Sequence, residues 1–137
     1  MNDKFSMVVF SGTVDRLMAA SIMATGAAAM GKKVRLFLTF WGLMAFRKGD
    51  WQTNRRISKD FEDLAEAAAQ AMAARKVPSW LETLQGAMEV GDVTVEACGM
   101  TMDLFGLKLD DLEPVVTGIS GVANFVNEIE GGQVLFI

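Results

Sequence analysis

The chain contains no histidine and a single cysteine, Cys98. Without histidine, neither a Ser-His nor a Cys-His catalytic pair can be built from these residues. One cysteine excludes an internal disulfide, and without histidine it leaves a structural zinc site short of ligands. A carboxylate-only site for a hard metal would need clustered acidic spacing, which the sequence lacks, so neither metal nor cofactor is expected. Positive charge is scarce too: 13 Lys and Arg stand against 17 Asp and Glu, a net charge of −4. The one basic cluster, Arg55-Arg56 with Lys59, is balanced by Asp60, Glu62 and Asp63 and reads as a solvated loop and helix start. Nucleic-acid binding needs a concentrated basic face, so no such partner is expected. The longest weakly polar run, Leu17 to Met30, is too short to span a bilayer. Met1-Asn2-Asp3-Lys4 leads into a strand-like segment with no sign of a secretory leader. A reducing cytoplasm is the expected compartment.

What is present reads as one globular domain over residues 1–137, with 51% apolar and 22% charged residues. Phe5 to Phe10 is a buried first strand, and the Ser11-Gly12-Thr13 turn offers hydroxyls suited to capping the helix Val14 to Met30. Val34 to Thr39 is a second apolar run, interrupted only by Arg35. Continuous runs of this kind mark parallel strands covered on both faces, and the three pieces form a βαβ unit. Next comes an aromatic segment, Phe40 to Trp51, with two tryptophans and two phenylalanines. Three readings stand for it: a cap packed on the core, the wall of a pocket over Cys98, or an oligomer contact.

Ser58 to Arg75 predicts a helix with Phe61, Leu64, Ala65, Ala68 and Met72 on one face. Pro78 breaks it, and Ser79 caps another helix carrying Trp80, Leu81, Leu84, Ala87 and Met88. The Val93 strand follows. Pro114 to Thr117 predicts a fourth strand, Gly118-Ile119-Ser120-Gly121 opens a helix through Ile129, and Gln133 to Ile137 makes a fifth strand. Strands separated by helical crossovers give a three-layer α/β/α fold with a mainly parallel five-stranded sheet.

In this frame Val93 to Leu107 places Cys98 where a strand ends and a helix begins, with Gly99 next. Ligands and chemistry gather at that edge of a parallel sheet. Unpaired N–H groups at a helix start favour a thiolate over a thiol. The competing reading is a small buried hydrophobe, since free cysteine is among the most buried residue types. Glu96, two residues earlier on the same strand face, would oppose thiolate formation if it lay near the sulfur. Solvation at the strand end is its simpler reading, and the outer face of the short helix is the simpler place for Asp103. Gly26 to Lys32 has the spacing of a phosphate loop as far as its lysine, but it ends a helix instead of opening one, and Lys33 stands where Ser or Thr would hold magnesium.

The order of features resembles the DsrE/DsrF family, which includes TusD-like sulfur-relay proteins, in its single-domain DsrE-like branch. The resemblance rests on Thr39-Phe40-Trp41-Gly42-Leu43, on Ala97-Cys98-Gly99-Met100-Thr101-Met102-Asp103-Leu104-Phe105-Gly106, and on the ending from Gly118 to Ile137. A peroxiredoxin label sometimes used for the branch finds no support, because Val95 stands where a Thr-x-x-Cys pattern needs threonine. The resemblance implies a cytoplasmic homo-oligomer in which Cys98 takes sulfane sulfur as a persulfide from a donor protein or small thiol and hands it to an acceptor. Backbone N–H groups of Gly99, Met100 and Thr101 are the expected anion stabilisers, and Trp41, Met44 and Met102 the expected shield of the persulfide. Some relatives lack the cysteine, so the alternative is a non-catalytic scaffold or small-ligand-binding module of the same fold.

Overall fold

A computed structural model of the chain describes residues 3–137. Five strands, β1 (Lys4–Val9), β2 (Lys33–Leu38), β3 (Val93–Cys98), β4 (Val116–Ser120) and β5 (Gln133–Phe136), form one sheet in the order β4-β3-β2-β1-β5. Every pairing is parallel. The expected α/β class holds, and the sheet is parallel throughout.

Right-handed crossovers fix the layers. The chain steps from β1 to β4 in one direction, which puts α1 (Val14–Ala29) and α4 (Trp80–Val90) side by side on one face. It then returns past three strands to β5, so α6 (Val122–Glu128) lies on the opposite face. Alternation along the strands divides the core accordingly. Met7, Val9, Leu36, Leu38, Val95 and Ala97 point into the main core with α1 and α4. Phe37 and Cys98 point the other way, into a smaller cluster with Phe125 of α6. Phe37 and Phe125 stack there with ring centroids 4.5 Å apart and planes 15° apart, a pairing that adds about 0.5–1.5 kcal/mol beyond area burial.

Small residues let α1 approach its neighbours: Ala20, Ala24, Ala27 and Ala28 are buried, whereas Ile22 and Met23 stay exposed. The cap of α4 is as expected and more complete. Ser79 Oγ accepts from the Glu82 N–H at 3.1 Å, and the Glu82 carboxylate accepts from the Ser79 N–H at 3.3 Å. At the start of α1 the expected hydroxyl cap does not form. Ser11 and Thr13 hydroxyls bond each other at 3.1 Å, and the Val14 N–H goes to the Arg56 carbonyl at 2.7 Å.

Three expected boundaries differ. The single helix from Ser58 to Arg75 is a 3₁₀ segment, Lys59–Leu64, followed by α3 (Ala65–Ala74), with Phe61 at non-helical φ −124°, ψ 20°. Its apolar stripe is not packed, because Phe61 and Leu64 are both more than half exposed. Alanine-rich sequence supplies helix propensity without side chains large enough to anchor the face. The fourth strand extends to Ser120, so Gly118 to Ser120 pair with Glu96 to Cys98 and only Gly121 caps α6. The strand also starts at Val116, two residues later than expected, because Pro114 and Val115 lie in the preceding turn, and it runs on through Gly118 because β3 resumes the ladder there after a bulge at Thr117.

Candidate functional site

Cys98 is the last residue of β3 and the N-cap of α5 (Gly99–Phe105). It is 7% exposed, so the buried and the strand-edge readings both describe it. The parallel register sets Leu38 beside Ala97, which brings Thr39 level with the cysteine at the C-terminal edge of the sheet. Burial pushes the Cys98 thiol up. Hydrogen bonds from the Thr101 N–H and hydroxyl, the Thr39 hydroxyl and the Met100 N–H outweigh it, and the thiol lies below its ordinary value.

Thr101 is the hinge of this arrangement and is itself buried. Its Oγ1 lies 3.2 Å from Thr39 Oγ1 and accepts from the Phe40 N–H, also at 3.2 Å. That N–H occupies an acceptor position of the hydroxyl, whose one proton serves either Thr39 Oγ1 or the sulfur. Phe40 holds an unusual backbone for a bulky residue, φ +48°. Left-handed backbone of this kind costs about 1–3 kcal/mol and concentrates at functional sites. Here it begins the short helix α2 (Phe40–Met44) directly after Thr39 and turns the Phe40 N–H toward Thr101.

Two glycines make the edge compact. A Cβ on Gly42 would lie 2.1 Å from the Val9 carbonyl oxygen, and one on Gly12 would lie 2.4 Å from the Trp41 carbonyl oxygen. The Gly42 N–H donates to the Phe10 carbonyl at 2.8 Å. The β1–α1 turn and the start of α2 are therefore interlocked through bare backbone.

Of the residues singled out in the sequence, Gly99, Met100 and Thr101 all lie at the thiol, where Met100 and Thr101 donate N–H groups and Gly99 follows the sulfur-bearing residue. The Met100 side chain is 79% exposed. Met102 points into the main core on the other side of the sheet from Cys98, so it does not shield the sulfur. Cys98 takes its direction from the strand, whereas Met102 lies on the face of α5 that packs on the main core. Trp41 and Met44 line a separate cleft with Gly12 and Thr13, and Cys98 is not in its lining. Trp41 also packs on Phe105 of α5, with ring centroids 6.1 Å apart. The aromatic segment thus divides. Leu43 and Phe46 are core, with Phe46 edge-on to Trp80 at 4.9 Å, whereas Phe40 and Trp41 are exposed.

Glu96 is neither solvated nor aimed at the thiol unopposed. Arg35 of β2 pairs with it across the strands and pairs also with Glu128 of α6. Asp103 is exposed on α5, as expected. The roles of Thr39 and Arg35 were missed in the sequence. The available signal was their spacing, which puts both on one side of the run, with Thr39 directly after the end of β2 where Cys98 ends the next strand.

Among the described residues no group of three or more His, Cys, Asp or Glu side chains is placed to hold a metal ion, and no helix is long and apolar enough to cross a membrane.

A profile of the DsrE/DsrF/DrsH-like family matches residues 1–65 and 58–137. The uncharacterized protein YrkE of Bacillus subtilis (strain 168) is 34% identical over a 158-position alignment covering 96% of this chain and 95% of that protein. Among solved structures, the ychN protein from E. coli superimposes with a TM-score of 0.59 at 16% identity, covering all of both chains. MTH1491 from Methanobacterium thermoautotrophicum, a protein of unknown function, does so with a TM-score of 0.57 at 16% identity, covering 99% of this chain and 100% of that one. Both structures share the fold. By sequence over its whole length, the chain belongs to the DsrE/DsrF/DrsH-like family.

Proposed function

We propose that the protein carries sulfane sulfur on Cys98. The observation that supports this reading is the ring of donors around the sulfur, two N–H groups and two hydroxyls, at a strand end with no histidine available. Such donors stabilise a thiolate or a persulfide anion. The Cys98 thiolate attacks the outer sulfur of a donor persulfide R–S–SH; a new S–S bond forms on Cys98, and R–S⁻ leaves. An acceptor thiolate then attacks the outer sulfur of Cys98–S–SH, taking that sulfur and restoring the Cys98 thiolate. Each step is a thiolate exchange with no net oxidant, and neither needs a histidine base.

Met100 beside the thiol is exposed, and so are apolar side chains on the neighbouring elements, Leu104 on α5, Ile119 on β4, and Val122 and Val126 on α6. They favour a protein donor or acceptor, or a second copy of the chain, over free small thiols alone. The reading places the protein in a reducing compartment as a homo-oligomer. A monomer mass by light scattering at working concentration would remove the oligomer from it.

Loading with inorganic polysulfide, followed by intact mass measurement, tests the carriage. The wild type is expected to gain about one sulfur atom and the Cys98→Ser variant none. Equal gain in both, or no gain in the wild type, would favour the non-catalytic binding module instead.

A further inference from the structure

The cleft that Trp41 and Met44 line is separate from the thiol and asks for its own account. Its volume is about 850 Å³, within the range of roughly 300–1,000 Å³ typical of small-molecule sites. Met44 and Ala45 give it apolar surface, and Trp41, half-exposed, is backed by Phe105. Its lining carries three arginines against one acid. Arg47 is neutralised by Asp50 at 2.9 Å, whereas no carboxylate among the described residues pairs with Arg55 or Arg56.

These two cations are not on a free loop. The Asn54 side-chain N–H donates to the Gly12 carbonyl at 3.0 Å, the Arg56 carbonyl accepts from Val14, and the Arg56 N–H donates to Asn54 Oδ1 at 3.1 Å. The next turn is tied down as well, because the Ser58 N–H donates to Asp15 Oδ2 at 3.1 Å. The backbone that presents Arg55 and Arg56 is therefore fixed on the rim of the cleft, in a chain whose net charge is −4. The balancing acids expected from the sequence, Asp60, Glu62 and Asp63, form no ion pair with them.

We propose that this cleft binds a small planar organic anion, its ring against Trp41 and its oxyanion held by Arg55 and Arg56. Two guanidinium forks match the oxygens of a phosphate or carboxylate, and the indole face suits a flat ring. The proposal does not rest on thiol chemistry at Cys98.

Adenosine monophosphate (ring and phosphate), adenosine (ring alone) and inorganic phosphate serve as probes, followed through the three tryptophan indole N–H signals by NMR. Trp41 is assigned with a Trp41→Phe variant. Adenosine monophosphate is expected to shift the Trp41 signal saturably, and each half-probe to bind at least about tenfold more weakly. An Arg55→Gln/Arg56→Gln double variant should lose about tenfold or more, while Cys98→Ser binds unchanged. Because that double variant could perturb the loop, the salt dependence of wild-type binding is read as well and should weaken it steadily. No shift of Trp41 at millimolar probe, equal binding by adenosine, equal binding by phosphate, an unaffected arginine double variant, or salt-independent binding would each overturn the proposal.

Discussion

At the scale of single residues, the thiol's character depends on Thr101 more than on any charge. The Glu96 carboxylate that could have opposed thiolate formation is engaged by Arg35, while Thr101 offers both an N–H and a hydroxyl to the sulfur. A lowered thiol pKa means that thiolate, the reactive form, persists to lower pH than in an ordinary cysteine. The rate of alkylation by iodoacetamide should therefore rise with pH through a midpoint below that of a free thiol. Thr101→Val keeps the side-chain shape and removes the hydroxyl, so the midpoint should move up and the rate near neutral pH should fall several-fold. The same change strands the Phe40 N–H and should destabilise the fold by about 1–3 kcal/mol, measured by urea denaturation. A midpoint unmoved in Thr101→Val would mean that the backbone N–H groups alone set the thiol's character.

At the scale of elements, the tightest constraint is where the β1–α1 turn meets α2. Gly42→Ala would drive a methyl group into the Val9 carbonyl, with only 2.1 Å between the new carbon and that oxygen. Backbone cannot yield as a flexible side chain can, so a loss of about 2–3 kcal/mol or more is expected in urea denaturation. A loss under about 0.5 kcal/mol would show that α2 shifts freely. The strands and α4 were legible from large apolar side chains in unbroken patterns and α1 from an unbroken alanine-rich run, and Ser79 with Glu82 spells out the α4 cap. The run from Ser58 to Arg75 was not legible in the same way. Its helical pattern is real from Ala65 onward, but no facing element receives Phe61 and Leu64, and periodicity cannot report a missing partner. Gly118 misled for a related reason: it reads as a break, but it lies in β4 just past a bulge at Thr117, where the register against β3 shifts by one residue and pairing resumes with Glu96.

At the scale of the whole molecule, topology explains why two candidate sites share an edge without merging. Parallel strands deliver Ser11, Thr39 and Cys98 to one rim of the sheet, and α2 stands between the cleft at Trp41 and the thiol at the start of α5. The sequence placed Cys98 at that rim from strand order alone. It could not show that Met102 turns into the opposite core or that Met44 faces a different cleft, since both depend on the angle at which short helices leave the sheet. The family membership and the fold follow from the chain as a whole, whereas sulfur carriage depends on one atom of it. That atom is tested most directly by loading the protein with polysulfide, removing the excess, and adding cyanide, which takes the outer sulfur of a persulfide as thiocyanate and leaves the thiolate. About one thiocyanate per chain from the wild type, with none from Cys98→Ser, is the expected result. Thiocyanate absent from the loaded wild type, or formed equally by Cys98→Ser, would contradict a persulfide on Cys98.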